Sequence, residues 1–155
     1  MPKINKVAHV VLGCRDPEES IKFYTEVLGM EVVRHFEERN MAFFSFGEQH
    51  HDIAVMKVPE DEPIGSQRGP HTALQIAGGV EELAEMYQRL KDHGVEVQRT
   101  TDHTLTKSIY FFDPSGNRLE VFCETMVMAD AKKYLGDISD DTPLNAPLDL
   151  EKASV

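Results

Sequence analysis

Two histidines and one glutamate stand at matching places in a repeated pattern of this chain, and together they have the composition of a metal site. His9 and His71 each lie in a short apolar stretch, and Glu120 lies in another stretch near the end of the second copy. Two imidazoles and one carboxylate on a triangular face leave three coordination positions open, as in non-haem Fe(II) oxygenases. Catalytic Zn(II) usually needs only one open position, so the trio favours iron.

Each of the three residues also has an ordinary structural interpretation. A histidine in an apolar strand, such as His9, is often a hydrogen-bonded core residue, and Glu120 alternates with apolar neighbours and could face solvent. The occurrence of a histidine at the same place in both copies, with a carboxylate on a strand expected to face the same cavity, favours the metal site.

The repeat is visible as the same order of elements in two copies. His71 lies 62 residues after His9, and Gly94 lies 65 residues after Gly29. Such nearly constant offsets indicate repeated modules. Aligning Ala54 with Glu120 gives an offset of 66 and places alanine at the first copy's counterpart of the glutamate. The repeat therefore predicts one site with three protein ligands.

The helix of each copy has recognisable ends and an apolar face. Asp16 suits the N-cap of the first helix, Pro17 its first position, and Glu19 gives an acidic variant of the capping box. Gly29 and Gly94 supply the residues that end the two helices. The residues predicted to pack each helix against the core are Ile21, Tyr24, Val27 and Leu28 in the first copy, and Leu83, Met86, Tyr87 and Leu90 in the second.

Each copy continues with three short segments of strand type, so each reads β-α-β-β-β. The segments are 31–34, 41–46 and 52–58 in the first copy, and 95–99, 108–112 and 119–123 in the second. Because one such module buries only one face of its sheet, we predict an α+β fold in which two tandem βαβββ modules form one open, curved mixed β-barrel with the helices outside.

The predicted domain spans residues 1–125, with modules at about 5–58 and 70–125 joined by a linker at 59–70. Residues 126–155 form a separate C-terminal segment, a short helix followed by an acidic tail. The default for this tail is disorder. The alternative is that it covers the mouth of a substrate cavity or a subunit interface.

Composition and charge narrow the function classes. A net charge of −11 argues against nucleic acid and anionic membranes as partners, which leaves a small molecule. The N-terminus resembles no secretory signal and the longest apolar runs are short, so we expect a cytoplasmic protein. The two cysteines, Cys14 and Cys123, have no disulfide or zinc spacing and are interpreted as small core residues. The exposed edges of a small barrel favour a homo-oligomer.

Over residues 5–125 the chain resembles the vicinal oxygen chelate superfamily, and around the predicted ligands it resembles the type I extradiol ring-cleaving dioxygenases, relatives of catechol 2,3-dioxygenase. The last matching segment, at 109–122, is the most specific, and it carries Tyr110 ten residues before Glu120. The matching segments are H-V-V-L at 9–12, F-Y-T-E-V-L-G-M at 23–30, H-H-D-I-A-V at 50–55, H-T-A-L at 71–74 and I-Y-F-F-D-P-S-G-N-R-L-E-V-F at 109–122.

The resemblance implies an enzyme that inserts both atoms of O2 into a catechol-type diol at an Fe(II) ion, with Mn(II) as the alternative metal. It implies that His51 is the acid/base residue, that Tyr110 donates a hydrogen bond to a substrate or ligand oxygen, and that His103 stabilises the bound diol. The ordinary interpretation of Tyr110 is an aromatic core residue on a strand.

Two features differ from the larger catechol enzymes. The stretch from His103 to Tyr110 is about two residues shorter, and the extra N-terminal domain of those enzymes has no counterpart in this sequence. The resemblance therefore implies a single-domain form.

Rival functions within the same superfamily remain. A thiol transferase of the fosfomycin-resistance type uses a similar trio with a different metal, but it does not call for His51, His103 and Tyr110 together. A glyoxalase I or an epimerase normally has a fourth protein ligand, for which Ala54 is unsuited. A non-catalytic binding protein of this fold would not need the trio.

Overall fold

The computed structural model describes residues 2–66 and 69–151. The chain divides into two compact units, Met1–Gly69 with Asp113–Asn117, and Pro70–Phe112 with Arg118–Val155. Two residues of the predicted linker, Gln67 and Arg68, and the end of the predicted tail, 152–155, lie outside the described residues.

The first unit is a four-stranded sheet with one helix. Its elements are β1 (Val10–Cys14), α1 (Pro17–Lys22) continued by a π-helical turn (Phe23–Val27), β2 (Glu31–Phe36), a 3-10 turn (Glu37–Arg39), β3 (Met41–Ser45) and β4 (Ile53–Lys57). The strand order is β1-β4-β3-β2. β1 is parallel to β4, and the other neighbours are antiparallel.

The second unit repeats this arrangement and adds a C-terminal extension. Its elements are β5 (Thr72–Gln75), α2 (Val80–Asp92), β6 (Val97–Asp102), β7 (Thr106–Phe112), β8 (Arg118–Glu124), α3 (Met128–Asp137) and β9 (Ala146–Pro147). The strand order is β5-β8-β7-β6-β9. The predicted α+β class with two βαβββ modules is therefore confirmed.

Strand boundaries differ from the predicted ones by at most three residues, and two of the shifts concern the site. β1 and β5 begin at Val10 and Thr72, so His9 and His71 each directly precede the first strand of their module. β4 begins at Ile53, so His50 and His51 lie in the loop before it. Ends of strands depend on the last hydrogen-bonded pair, which single-sequence patterns locate poorly.

The predicted N-cap of the first helix and the predicted glycines after both helices are present in the structure. The Asp16 side chain caps α1 by accepting the Glu18 N–H at 2.9 Å. Gly29 and Gly94 follow the two helices with φ of +73° and +71°, the left-handed conformation that favours glycine. Tyr24 of the first unit and Leu83 of the second are fully buried at 0% exposure. Both helices therefore pack against their own sheets as the apolar faces predict.

The prediction for the two cysteines is confirmed, and the default prediction for the C-terminal tail is wrong. Cys14 and Cys123 are free and buried, in agreement with their interpretation as core residues. The default of a disordered tail is wrong for the described part, since β9 pairs with β6 and Leu150 is only 2% exposed. Among the residues that the structure describes, no helix is both long and apolar enough to cross a membrane.

A buried carboxylate organises the first unit at the turn 113–117. Asp113, 4% exposed, accepts hydrogen bonds from the Tyr24 hydroxyl at 2.9 Å and from the Ser115 N–H at 3.0 Å. It also accepts the N–H and the side-chain amide of Asn117, each at 2.8 Å. Burial raises the pKa of Asp113, and the donors act in the opposite direction. The side-chain amide of Asn117 also donates to the Gly13 carbonyl of β1 at 2.7 Å.

Replacing this carboxylate should destabilise the protein more than removing one of its donors. Asp113→Asn puts an NH2 group opposite other donors, and we expect it to lower the free energy of unfolding by about 2–3 kcal/mol. Tyr24→Phe keeps the ring packed on Phe44 and removes only one donor, so we expect about 1 kcal/mol. Urea unfolding followed by circular dichroism measures both. An equal or larger loss in Tyr24→Phe would show that the four-donor arrangement does not stabilise the turn.

Candidate functional site

The strand registers of the two units are equivalent, and this equivalence identifies which residues correspond. In the first unit Val11 pairs with Ala54, and Ala54 pairs with Phe43. In the second unit Ala73 pairs with Glu120, and Glu120 pairs with Tyr110. His9 lies two residues before Val11, and His71 lies two residues before Ala73. The register thus agrees with the sequence alignment that matched His9 to His71 and Ala54 to Glu120.

In the second unit, Glu120 is a buried carboxylate held by two predicted site residues. Its Oε2 atom lies 2.8 Å from the Nε2 atom of His71, and its Oε1 atom accepts the Tyr110 hydroxyl at 3.0 Å. Glu120 is 7% exposed, so these partners replace the water that a carboxylate would otherwise bind. Because the carboxylate accepts, His71 Nε2 carries the proton of this bond when Glu120 is ionised.

His103 extends this line of polar groups. Its Nε2 atom lies 2.8 Å from the Tyr110 hydroxyl, and its ring is half-buried. It stands in a tight turn between β6 and β7, where its N–H donates to the Thr106 carbonyl at 2.9 Å. The following residue, Thr104, has a φ of +71°. Despite the shortened spacing to Tyr110, the structure brings the side chains of His71, Glu120, Tyr110 and His103 together in one unit.

Tyr110 stays a hydrogen-bond donor at neutral pH. Burial, and the nearby charge of Glu120, raise the pKa of its hydroxyl, while Arg99 acts in the opposite direction. The guanidinium carbons of Arg99 and Arg118 lie 4.4 Å and 5.1 Å from the centre of its ring. These contacts give the phenol two cationic neighbours in addition to the buried carboxylate.

The first unit gathers His9 and His51 beside an aromatic residue. The rings of His9 and His51 are 4.4 Å apart, and His51 stacks on Phe43 with centres 4.5 Å apart and an interplanar angle of 21°. His50 is exposed, and its Nδ1 atom lies 2.6 Å from that of His51, since both residues lie in the loop before β4 and not in a strand. Partial desolvation and the neighbouring imidazoles of His50 and His9 lower the pKa of His51.

The predicted ligand trio is divided over both units, with His9 in the first and His71 and Glu120 in the second. Within either unit, as far as the described residues go, no three His, Cys, Asp or Glu side chains form a metal-binding group. The donor atoms of His71 and Glu120 nevertheless suit a divalent cation, because an imidazole nitrogen and a carboxylate oxygen are common ligands of such ions.

Comparison with known proteins identifies the superfamily of this chain. Residues 6–121 match the model of the Glyoxalase/Bleomycin resistance protein/Dioxygenase superfamily. The chain belongs to this superfamily. Among curated relatives, biphenyl-2,3-diol 1,2-dioxygenase 2 of Rhodococcus globerulus is 34% identical over 119 residues, which are 75% of this chain and 61% of that protein. The chain thus spans about three fifths of the length of that relative.

Other members of the superfamily are similar over a larger share of their own length. Metallothiol transferase FosB of Staphylococcus saprophyticus is 30% identical over 79% of this chain and 80% of the relative. The structure of the fosfomycin resistance protein FosX of Listeria monocytogenes matches with a TM-score of 0.67 and 22% identity, covering 84% of this chain and 99% of that one. The latter likeness shows the superfamily fold alone.

The sequence alone did not identify Arg99 and Arg118 as neighbours of Tyr110, although it contains a signal for Arg99. Arg99 lies 65 residues after Arg34, the same offset as that of the helix-ending glycines. Arg34 and Arg99 each follow a β-bulge. Arg34 pairs with Phe43, and Arg99 pairs with the equivalent residue Tyr110. Aligning the second strands of the two modules would have placed Arg99 beside Tyr110. Arg118 had no such signal.

Removing the Tyr110 hydroxyl should destabilise the metal-free protein, because Glu120 Oε1 would lose its donor while staying buried. We expect Tyr110→Phe to lower the free energy of unfolding by about 1–2 kcal/mol. Tyr87→Phe is a matched control on the half-buried side of α2 and should stay within about 0.5 kcal/mol of the parent. Urea unfolding in the presence of a chelator measures both, and equal stability of the two variants would contradict the proposed bond.

Proposed function

We propose that this protein is an extradiol ring-cleaving dioxygenase that inserts both atoms of O2 into a catechol-type aromatic diol. The proposal is carried by the buried Glu120 carboxylate, which lies between His71 and Tyr110 with His103 beyond. The 34% identity to a biphenyl-2,3-diol dioxygenase supports the same reaction class.

In this proposal His9, His71 and Glu120 hold Fe(II), and Mn(II) is the alternative. Two imidazole nitrogens and one carboxylate match the ligand preference of Fe(II) oxygenases and leave positions for substrate and O2. When bound, the ion would supply a common binding point for the diol and O2, two reactants that otherwise react slowly. As ligands, His71 would act through Nε2 free of hydrogen and Glu120 as the carboxylate, since metal ligands must be deprotonated.

The residues of the first unit provide a base beside an apolar surface. His51, with its lowered pKa, is neutral at pH 7 and can accept a proton from a diol hydroxyl and later return it. Phe43 holds the His51 ring by stacking, which limits its rotation. Val11 and Met56, 52% and 43% exposed, extend the apolar surface on the same face of the sheet, suited to an aromatic ring.

The residues of the second unit provide donors for negative charge on oxygen. Tyr110 keeps its proton because its pKa is raised, so it can donate to a substrate oxygen. His103 touches the same hydroxyl and orients it. We assign Tyr110 as a hydrogen-bond donor to the substrate and His103 as the residue that stabilises the bound diol.

The further partners in this proposal are O2 and a second copy of the chain, since Val33 on the edge strand β2 is 47% exposed. The free thiols Cys14 and Cys123 support a reducing, cytoplasmic environment.

Anaerobic reconstitution with Fe(II), followed by air and a panel of catechols, tests the reaction. We expect a yellow ring-opened product and consumption of O2. His51→Ala should keep its iron and lose at least about 100-fold in turnover, because general acid–base catalysis contributes that much. His93→Ala, an exposed histidine at the end of α2, is the matched control and should keep both iron and activity. Loss of iron in His51→Ala would mean that His51 is a ligand.

A second candidate function, thiol transfer, is favoured by one observation. The chain spans 80% of the metallothiol transferase that it matches, against 61% of the diol dioxygenase. If the iron-loaded protein consumes no catechol while the Mn(II)-loaded protein joins a thiol to an epoxide, thiol transfer replaces ring cleavage as the function.

A further inference from the structure

The chain after α3 returns to the second unit and lies along its edge strand. Residues 144–150 are here named the strap. Ala146 and Pro147 pair with Asp102 and Thr101 of β6, and the Thr100 hydroxyl donates to the Leu148 carbonyl. Leu150 is 2% exposed, so its buried side chain anchors the end of the strap. Beyond it, Lys91 of α2 forms an ion pair with Glu151 at 2.9 Å.

The beginning of the strap contacts the predicted site. The carbonyl oxygen of Leu144 lies 2.8 Å from the Nδ1 atom of His103. A carbonyl oxygen can only accept, so Nδ1 must carry the hydrogen of this bond. The other ring nitrogen, Nε2, is the one that faces the Tyr110 hydroxyl at 2.8 Å.

The turn that carries His103 fixes its backbone and leaves the ring to other contacts. His103 and Leu105 make the backbone bonds of the turn, and the Asp102 side chain accepts the Thr104 N–H at 2.8 Å and pairs with Lys107. None of these bonds involves a ring nitrogen of His103. A free neutral imidazole prefers the opposite tautomer, with hydrogen on Nε2, so a specific acceptor is needed to hold hydrogen on Nδ1.

We propose that the strap is a positioning element that holds His103 in the Nδ1–H tautomer and presents Nε2 to Tyr110. Tyr110 has one proton and two neighbouring acceptors, Nε2 of His103 and Oε1 of Glu120. A neutral His103 with Nε2 free of hydrogen is an acceptor for that proton and an alternative to Glu120. The backbone of Leu144 therefore determines which hydrogen bonds Tyr110 can make. The assignment of the tautomer rests on the structure alone, whereas its effect on turnover rests on the proposed function.

Long-range 1H–15N spectra of the metal-free full-length protein, labelled at its seven histidines, read the tautomer directly. His103→Gln assigns the His103 signals by their disappearance. We expect the Nδ1–H tautomer in the parent chain and in Leu144→Ala, which keeps the carbonyl and removes a side chain that is 47% exposed. Leu150→Asp, which removes the apolar anchor, should release the strap and move His103 towards the Nε2–H tautomer.

Two results would overturn the proposal. The Nε2–H tautomer in the parent chain would mean that Leu144 does not bind Nδ1, and this measurement needs no variant to fold. An unchanged Nδ1–H tautomer in a chain that ends at Pro143, which lacks the Leu144 carbonyl, would show that the turn suffices without the strap. Circular dichroism of Leu150→Asp and of the chain that ends at Pro143 checks that the sheet of the second unit persists.

Turnover separates this inference from the proposed function. If the parent chain cleaves a diol, Leu150→Asp should keep its iron and lose about tenfold in kcat with a smaller change in KM, whereas Leu144→Ala should match the parent. An unchanged kcat in Leu150→Asp would overturn the catalytic consequence of the strap. If no form cleaves a diol, the proposed function fails, and the strap is judged by the tautomer alone.

Discussion

The buried carboxylate of Glu120 imposes the main constraint on the second unit, because a charge removed from water must be given partners. His71 and Tyr110 are those partners, at 2.8 Å and 3.0 Å. Tyr110 is itself buried and finds a second contact in His103. One buried acid thus orders three further polar side chains in a line, and each member limits the orientation of the next.

Equivalent positions of the strand register hold apolar residues in the first unit and polar residues in the second. Where the second unit has Glu120 beside Tyr110, the first has Ala54 beside Phe43. The apolar pair needs no polar partners, and it leaves an aromatic surface on which His51 stacks. Repetition of the backbone with divergence of these two positions separates a polar face in one unit from an aromatic face in the other.

The C-terminal segment shows how a chain end can act on a site through its backbone. Leu150 is buried and β9 is paired, so the strap has anchors on the C-terminal side of Leu144. The carbonyl of Leu144 then lies within hydrogen-bond distance of a ring nitrogen of His103. The side chain of Leu144 takes no part in this contact. Because any residue offers a carbonyl, side-chain identity at position 144 carries no trace of this contact.

The sequence by itself determined the features that depend on local patterns and on repetition: the two βαβββ modules, the capped and glycine-ended helices, the correspondence of His9 with His71, and Ala54 in place of a second glutamate. These follow from periodicity, turn chemistry and constant offsets, which act over a few residues or recur along the chain. The grouping of His71, Glu120, Tyr110 and His103, the cationic neighbours of Tyr110, the contact of His50 with His51 and the docking of the strap were decided only by the tertiary structure. Each of these depends on side-chain orientation or on partners distant in the chain, and the strap contact runs from a backbone carbonyl to a ring nitrogen, which no pattern of residue types records.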